Sequence, residues 1–155
     1  MRYSTRTRYG LRFLSYLGRV YKTHGPARIT QLGEVASAED ISLKYLEQIV
    51  RKLRPLKIID SVRGVKGGYR LAAEPCKFRI DEIFDCLEGN ISPVPCTESP
   101  AVCPRIENCS AYQFWRGLDE CIRSYLRSLT LADIMLLPKG IAAAEMPPMR
   151  ATAEA

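Results

Sequence analysis

Histidine is nearly missing from this chain: His24 is the single one in 155 residues. General acid–base catalysis draws on histidine more than on any other side chain. A small metalloenzyme also needs an open metal position with such a group beside it. No constellation of that kind is visible, so an enzyme is not expected. Tryptophan is equally scarce, with one residue. No apolar run reaches about 18 residues, which excludes an apolar membrane-spanning helix, and a membrane partner is not expected. The opening MRYSTRTRYG has no apolar core of the kind that directs export. The expected location is therefore the cytoplasm, where thiols stay reduced. Internal repeats are absent as well.

What the chain does have is positive charge, unevenly placed. Residues 1–75 hold 15 Lys and Arg against 6 Asp and Glu, while residues 76–155 hold 8 against 11. The halves stand at +9 and −3, within a formal total of +6. A basic front joined to a mildly acidic back suggests a polyanion-binding module attached to something else. A solvated basic surface is the plainer reading of the same charges.

Hydrophobic spacing gives the front half a shape. Tyr9, Phe13, Tyr16, Leu17, Val20 and Tyr21 predict an amphipathic helix from Thr5 to Lys22, stopped by Gly25 and Pro26. His24 is then a cap or surface residue. Leu32, Val35 and Ala36 mark a short second helix, with Thr30 as its cap, and AEDIS is the turn after it. Ser42 caps a third helix whose buried stripe is Leu46, Ile49, Val50 and Leu53, ending near Pro55. Ile58–Val62 reads as a strand, residues 63–68 as a glycine-bearing turn and Tyr69–Ala72 as the return strand. Two helices joined by a tight turn and followed by a β-hairpin make a winged helix-turn-helix. The second helix of such a pair enters the major groove. Its outward residues are Ser42, Lys44, Tyr45, Glu47, Gln48, Arg51 and Lys52. Ser42, Lys44 and Tyr45 suit the groove floor or its phosphates. Glu47 and Gln48 can read cytosine or adenine edges, and Arg51 and Lys52 suit phosphates. The hairpin tip RGVKGG carries Arg63, placed to enter a minor groove, and Lys66.

The back half holds the cysteines. Asp81–Glu88 reads as a short helix stopped by Gly89. Residues 90–109 follow as a loop with four prolines and Cys96, Cys103 and Cys109, at gaps of six and five. Soft thiolates favour zinc or iron–sulfur clusters. Structural zinc prefers short Cys-x-x-Cys knuckles, so the wider collar suits a multi-iron cluster better. Zinc, redox thiols without metal, and no chemistry at all are the other readings. Cys76, Cys86 and Cys121 read as small buried hydrophobes. The longest helix is expected from Ser110 to Leu129, with Trp115, Leu118, Ile122, Tyr125 and Leu129 as a helix–helix seam. Thr130 and Asp133 pair as caps of a last turn.

RYG at 8–10, ISLKYLEQI at 41–49, SVRGVKGGYRL at 61–71, CLEG at 86–89 and the three-cysteine loop occur in one order. In that order they resemble the Rrf2 family of bacterial transcription regulators, over roughly residues 1–135. The resemblance implies a homodimer built on the long helix, with a winged helix on each subunit. It implies base reading by Ser42, Lys44, Tyr45, Glu47 and Arg63. It also implies that Cys96, Cys103 and Cys109 ligate an iron–sulfur cluster, 2Fe–2S or 4Fe–4S. Three departures stand out. Some members place a histidine three residues after the last cysteine, where this chain has Tyr112. Others supply a carboxylate from the partner's first helix, where this chain has Arg8. The first cysteine gap is also one residue longer than in the best-known members. Glu98, Glu107, Tyr112, a partner side chain or a small exogenous ligand are the candidates for a fourth position.

The expected fold is therefore mainly α with a small β-hairpin. Residues 1–75 form a winged helix-turn-helix, 76–109 a short helix and sensor loop, 110–137 a dimerisation helix and 138–155 a disordered tail. The expected function is a homodimeric regulator of a palindromic DNA operator that senses redox state, nitric oxide or iron–sulfur status. A thiol-sensing or partner-binding regulator without a cluster is the alternative, and a zinc-stabilised scaffold a further one.

Overall fold

The computed structural model describes residues 3–137. The expected tail at 138–155 lies outside the described residues. Helix α1 runs over Thr5–His24. Ser4 caps it by accepting the Thr7 N–H at 3.3 Å, and Gly25 ends it at φ +83°, a left-handed conformation that a side chain would strain. At 20 residues it exceeds the helix that the sequence pattern favoured as longest. His24 is its exposed last residue, in keeping with a surface or cap role.

Helix α2 covers Leu32–Glu39. Its cap is Gln31 rather than Thr30: the Gln31 N–H donates to Glu34 Oε1 at 3.2 Å. Thr30 is drawn into the hairpin instead, exchanging backbone hydrogen bonds of 2.8 Å with Tyr69. That pairing was invisible locally because the partner lies 39 residues away. Helix α3 covers Leu43–Leu53, with Ser42 accepting from the Tyr45 N–H at 3.3 Å. Its stripe of Leu46, Ile49, Val50 and Leu53 is buried as the spacing predicts. A 3-10 turn over Arg54–Leu56, with Pro55 inside it, stops the helix.

Strands β1, Ile59–Val62, and β2, Gly68–Leu71, pair antiparallel from Ile59↔Leu71 to Val62↔Gly68. Helix α4 covers Ile80–Glu88 and stops at Gly89, φ +85°. The expected loop at 90–109 is a chain of single turns. It comprises α5 over Pro95–Glu98 and 3-10 turns over Pro100–Val102 and Ile106–Asn108. The first two start on proline, whose fixed φ suits a first helical position. Helix α6 covers Ser110–Arg127 and α7 covers Leu131–Leu136. Thr130 and Asp133 cap α7 reciprocally: the Thr130 N–H reaches Asp133 Oδ2 at 2.8 Å, and the Asp133 N–H reaches Thr130 Oγ1 at 3.4 Å.

One core joins these pieces. Phe13, Leu14 and Leu17 of α1 pack with Leu46, Ile49 and Leu53 of α3, Ile80, Ile83 and Leu87 of α4, and Leu131 of α7. Burying each such side chain is worth roughly 1.5–3 kcal/mol. The chain after α6 returns to the start of α4: the Ile80 N–H donates to the Leu129 carbonyl at 3.0 Å and the Leu131 N–H to the Phe78 carbonyl at 2.8 Å. The expected seam on α6 divides accordingly. Leu129 is buried and Ile122 and Tyr125 are partly buried within this chain. Toward the N-terminal end, Leu118 is 38% exposed and Phe114 65% exposed.

Candidate nucleic-acid interface and cysteine loop

The winged-helix half leaves several of its basic side chains free. Lys44, Gln48, Arg51 and Lys52 are exposed on α3, and Arg63 and Lys66 on the turn between β1 and β2. Among the described residues, none of these cations has a carboxylate partner. Arg12 and Arg19 of α1 differ, since Glu39 at the end of α2 takes both, at 3.1 and 2.6 Å. That pairing pins α2 to α1 and offsets part of those two charges.

Two expected base readers have structural duties as well. The Ser42 oxygen accepts the Tyr45 N–H, which leaves its own O–H free to donate. The Tyr45 ring is half-buried and edge-on to Tyr9, centroids 5.7 Å apart. Glu47 stays exposed and lines a cleft with Arg51, Arg54 and Tyr69, between α3 and β2. Leu43, 48% exposed between Ser42 and Lys44, is an apolar candidate that the periodicity reading missed. At the hairpin tip Val65 is fully exposed between Arg63 and Lys66. The Thr30–Tyr69 bridge and the Gly67 N–H to Gly64 carbonyl bond of 2.9 Å hold the hairpin in place.

A second cluster had no local signal in the sequence. Glu88, the last residue of α4, reaches the start of α1. Both of its carboxylate oxygens accept from the Ser4 N–H at 3.0 Å. Oε2 also accepts from the Ser4 hydroxyl at 2.8 Å and from the hydroxyl of buried Thr7. Burial works against the charge, but the Thr7 and Ser4 hydrogen bonds and nearby Arg6 outweigh it and hold the carboxyl below its ordinary range. A carboxylate at a helix N-terminus also meets the positive end of the helix dipole. The clasp joins the winged-helix half to the residue that immediately precedes Gly89 and the cysteine loop.

All six cysteines are free thiols. Cys96 lies in α5, Cys103 follows the 3-10 turn at 100–102, and Cys109 is the cap residue of α6. The first two are half-buried and Cys109 is exposed. Among the described residues, no three His, Cys, Asp or Glu side chains are gathered closely enough to hold a metal ion. The donor chemistry of the loop fits soft iron all the same: three unpaired thiols on one short, proline-stiffened segment. Of the fourth-position candidates, Glu98 is engaged by the Asn90 side-chain amide, Glu107 is exposed and Tyr112 is half-buried. Arg123 of α6 ties down the loop's start, donating to Ser92 Oγ at 3.1 Å and to Asp119 at 2.8 Å.

The other three cysteines correct the sequence reading. Cys76 is exposed rather than buried, and Cys121 is exposed within this chain, where it lines an apolar cleft with Tyr3, Phe84 and Tyr125. Cys86 is half-buried. Its thiol donates to the Lys52 carbonyl at 2.9 Å, and burial pushes it up against the pull of Lys52, so it stays protonated.

Comparison with known proteins settles the relationship. Residues 3–136 match the family described as Rrf2, iron-dependent transcriptional regulator. The chain belongs to the Rrf2 family. It is 33% identical over 144 residues to protein rrf2 of Nitratidesulfovibrio vulgaris, covering 90% of this chain and 93% of the relative. It is 34% identical over 140 residues to the transcriptional regulator CymR of Bacillus subtilis, covering 90% and 94%. The solved structure of that protein, the global cysteine regulator of its organism, superposes with a TM-score of 0.64 at 32% identity, covering 87% and 96%. The solved T. potens IscR superposes with a TM-score of 0.66 at 26% identity, covering 90% and 94%. The winged-helix architecture, the DNA-binding function and a regulator rather than an enzyme therefore hold for this Rrf2 chain. Among the described residues no helix is long and apolar enough to cross a membrane.

Proposed function

We propose that this Rrf2 regulator acts as a homodimer through α6 on a palindromic operator in the cytoplasm, with its affinity set by an iron–sulfur cluster on Cys96, Cys103 and Cys109. One observation carries the reading: the three-thiol loop is the stretch of chain that runs from α4, clasped to the DNA-binding half by Glu88, to α6, which packs on α4 and exposes Phe114 and Leu118. When bound, such a cluster supplies a centre sensitive to oxidants, nitric oxide and iron supply. The chain's own part is mechanical. Drawing the three thiols together reorders a segment anchored at Ser92 by Arg123 and at its far end by α6. Any change in the angle between α4 and α6 alters the spacing of two reading heads, and half-sites about 34–36 Å apart tolerate little change. The loop can shift that balance only by the difference with which it favours one geometry.

On the DNA, Lys44 and Tyr45 contact the groove or its phosphates, with Leu43 set to touch a thymine methyl beside Ser42. Glu47 and Gln48 read base edges, Arg51 binds phosphate, and Arg63 and Lys66 lie along the adjacent groove. Lys44→Ala and Arg63→Ala are each expected to weaken operator binding by about 1–3 kcal/mol in gel shifts. Wild-type affinity in both variants would remove this assignment.

A cluster-free thiol sensor is the second reading. Its support is the similarity to the global cysteine regulator of Bacillus subtilis. Anaerobic purification decides between them. A coloured protein with iron and sulfide, whose visible bands disappear in Cys103→Ser, is the expected result. A colourless, iron-free protein after supply of iron and sulfide would leave the thiol reading.

A further inference from the structure

Arg6 lies outside the helix pair and the wing, yet its side chain meets the reading helix. Arg6, Tyr45, Gln48, Arg51 and Lys52 line one open cavity of about 510 Å³. Three of the five are cations and none is a carboxylate. Glu88 is near enough to feel the charge of Arg6, but among the described residues Arg6, Arg51 and Lys52 enter no ion pair. Three cations around one cavity repel one another, and an anion seated between them relieves that repulsion. The walls are already fixed. The first turn of α1 is held by Glu88 through Ser4 and Thr7, and the Tyr45 ring is held edge-on by Tyr9. Two guanidinium forks and an ammonium match the oxygens of a phosphate, with Tyr45 and Gln48 able to donate as well.

We propose that this cavity seats one phosphate of the operator backbone and that Arg6 is its ligand from α1. The inference rests on the DNA-binding reading and adds a contact from a helix that no helix-turn-helix pattern includes. A free phosphate has the same chemistry. The backbone phosphate is favoured because Gln48 and Tyr45 belong both to the cavity and to the base-reading face of α3.

The test is the salt dependence of binding, on the operator and on a random duplex, from about 50 to 200 mM salt. Arg6→Gln should weaken both duplexes by the same factor, about fivefold per bound subunit near 150 mM. Its log–log salt slope should be shallower by about 0.9 for each subunit. Arg6→Lys should recover the slope. Arg6→Met, which keeps the aliphatic stem, gives a second uncharged variant should Arg6→Gln fold poorly. An unchanged slope in the uncharged variants, with normal wild-type binding, overturns the proposal and leaves the DNA-binding reading standing. A wild-type protein with no salt-dependent DNA binding removes both. Inorganic phosphate titrated at constant ionic strength without DNA is the remaining arm. Saturation there that depends on Arg6, with an unchanged DNA slope, would make the cavity a free-anion site and overturn the proposal.

Discussion

Glu88→Gln is expected to cost about 2 kcal/mol of stability at neutral pH, and the loss should shrink in acid. The carboxylate accepts from the Ser4 N–H, the Ser4 hydroxyl and the Thr7 hydroxyl. Hydrogen bonds to a charged group are worth about 1.5–3 kcal/mol each when well buried, and partial exposure of the site discounts their sum. Gln offers one acceptor oxygen and turns an amide donor toward three donors. The pH dependence follows from a folded carboxyl held below its ordinary value of 4.5. Above that value both states are ionised and the advantage of the wild type is complete. Below it the unfolded chain takes up its proton first, and the advantage drains away as the folded carboxyl protonates in turn. Urea melts of both proteins between neutral and acid pH check this. A difference that stays constant, or grows on acidification, would mean that the ionised clasp does not hold α1 to α4.

Gly68→Ala should be the more damaging change for DNA binding. A Cβ at this buried glycine would overlap the Thr30 carbonyl oxygen and lie 2.7 Å from its carbonyl carbon. Both are backbone atoms of the bridge that fixes the hairpin to the start of α2, so neither can rotate away. Relief requires parting Thr30 from Tyr69, and overpacking of this kind costs about 1–3 kcal/mol or more. Arg63 and Lys66 would then lose their fixed position, and operator affinity should fall by at least tenfold, the equivalent of about 1.4 kcal/mol. Gly10→Ala is the control. The three atoms nearest to its Cβ are all side-chain atoms of core residue Leu87, so its strain falls between α1 and α4 rather than on the hairpin. Denaturation curves and gel shifts on the two variants give the comparison. If Gly10→Ala proved the more harmful for DNA binding, the hairpin's anchorage would not be what places the wing.

Wherever a signal was local, it could be read from the residues. The stripe Leu46, Ile49, Val50, Leu53 fixed the buried face of α3, and with it the outward set Lys44, Glu47, Gln48, Arg51. Gly25 and Gly89 stopped their helices at positive φ, and Thr130 with Asp133 capped α7. Wherever a partner was distant, the reading failed. Thr30 looked like a cap because nothing nearby announces Tyr69. Cys76 looked buried because cysteine usually is, while its actual exposure depends on which side of its segment meets the core.

Order, spacing and charge along the chain were enough to determine a winged helix-turn-helix, the outward face of its second helix and a loop of three thiols. Each of these depends on neighbours within a turn or two. Tertiary structure alone decided that Glu88 closes on Ser4 and Thr7, and that Arg6 joins Arg51 and Lys52 around one cavity. Those arrangements join residues tens of positions apart. Side-chain direction and packing, rather than periodicity, bring such residues together or keep them apart.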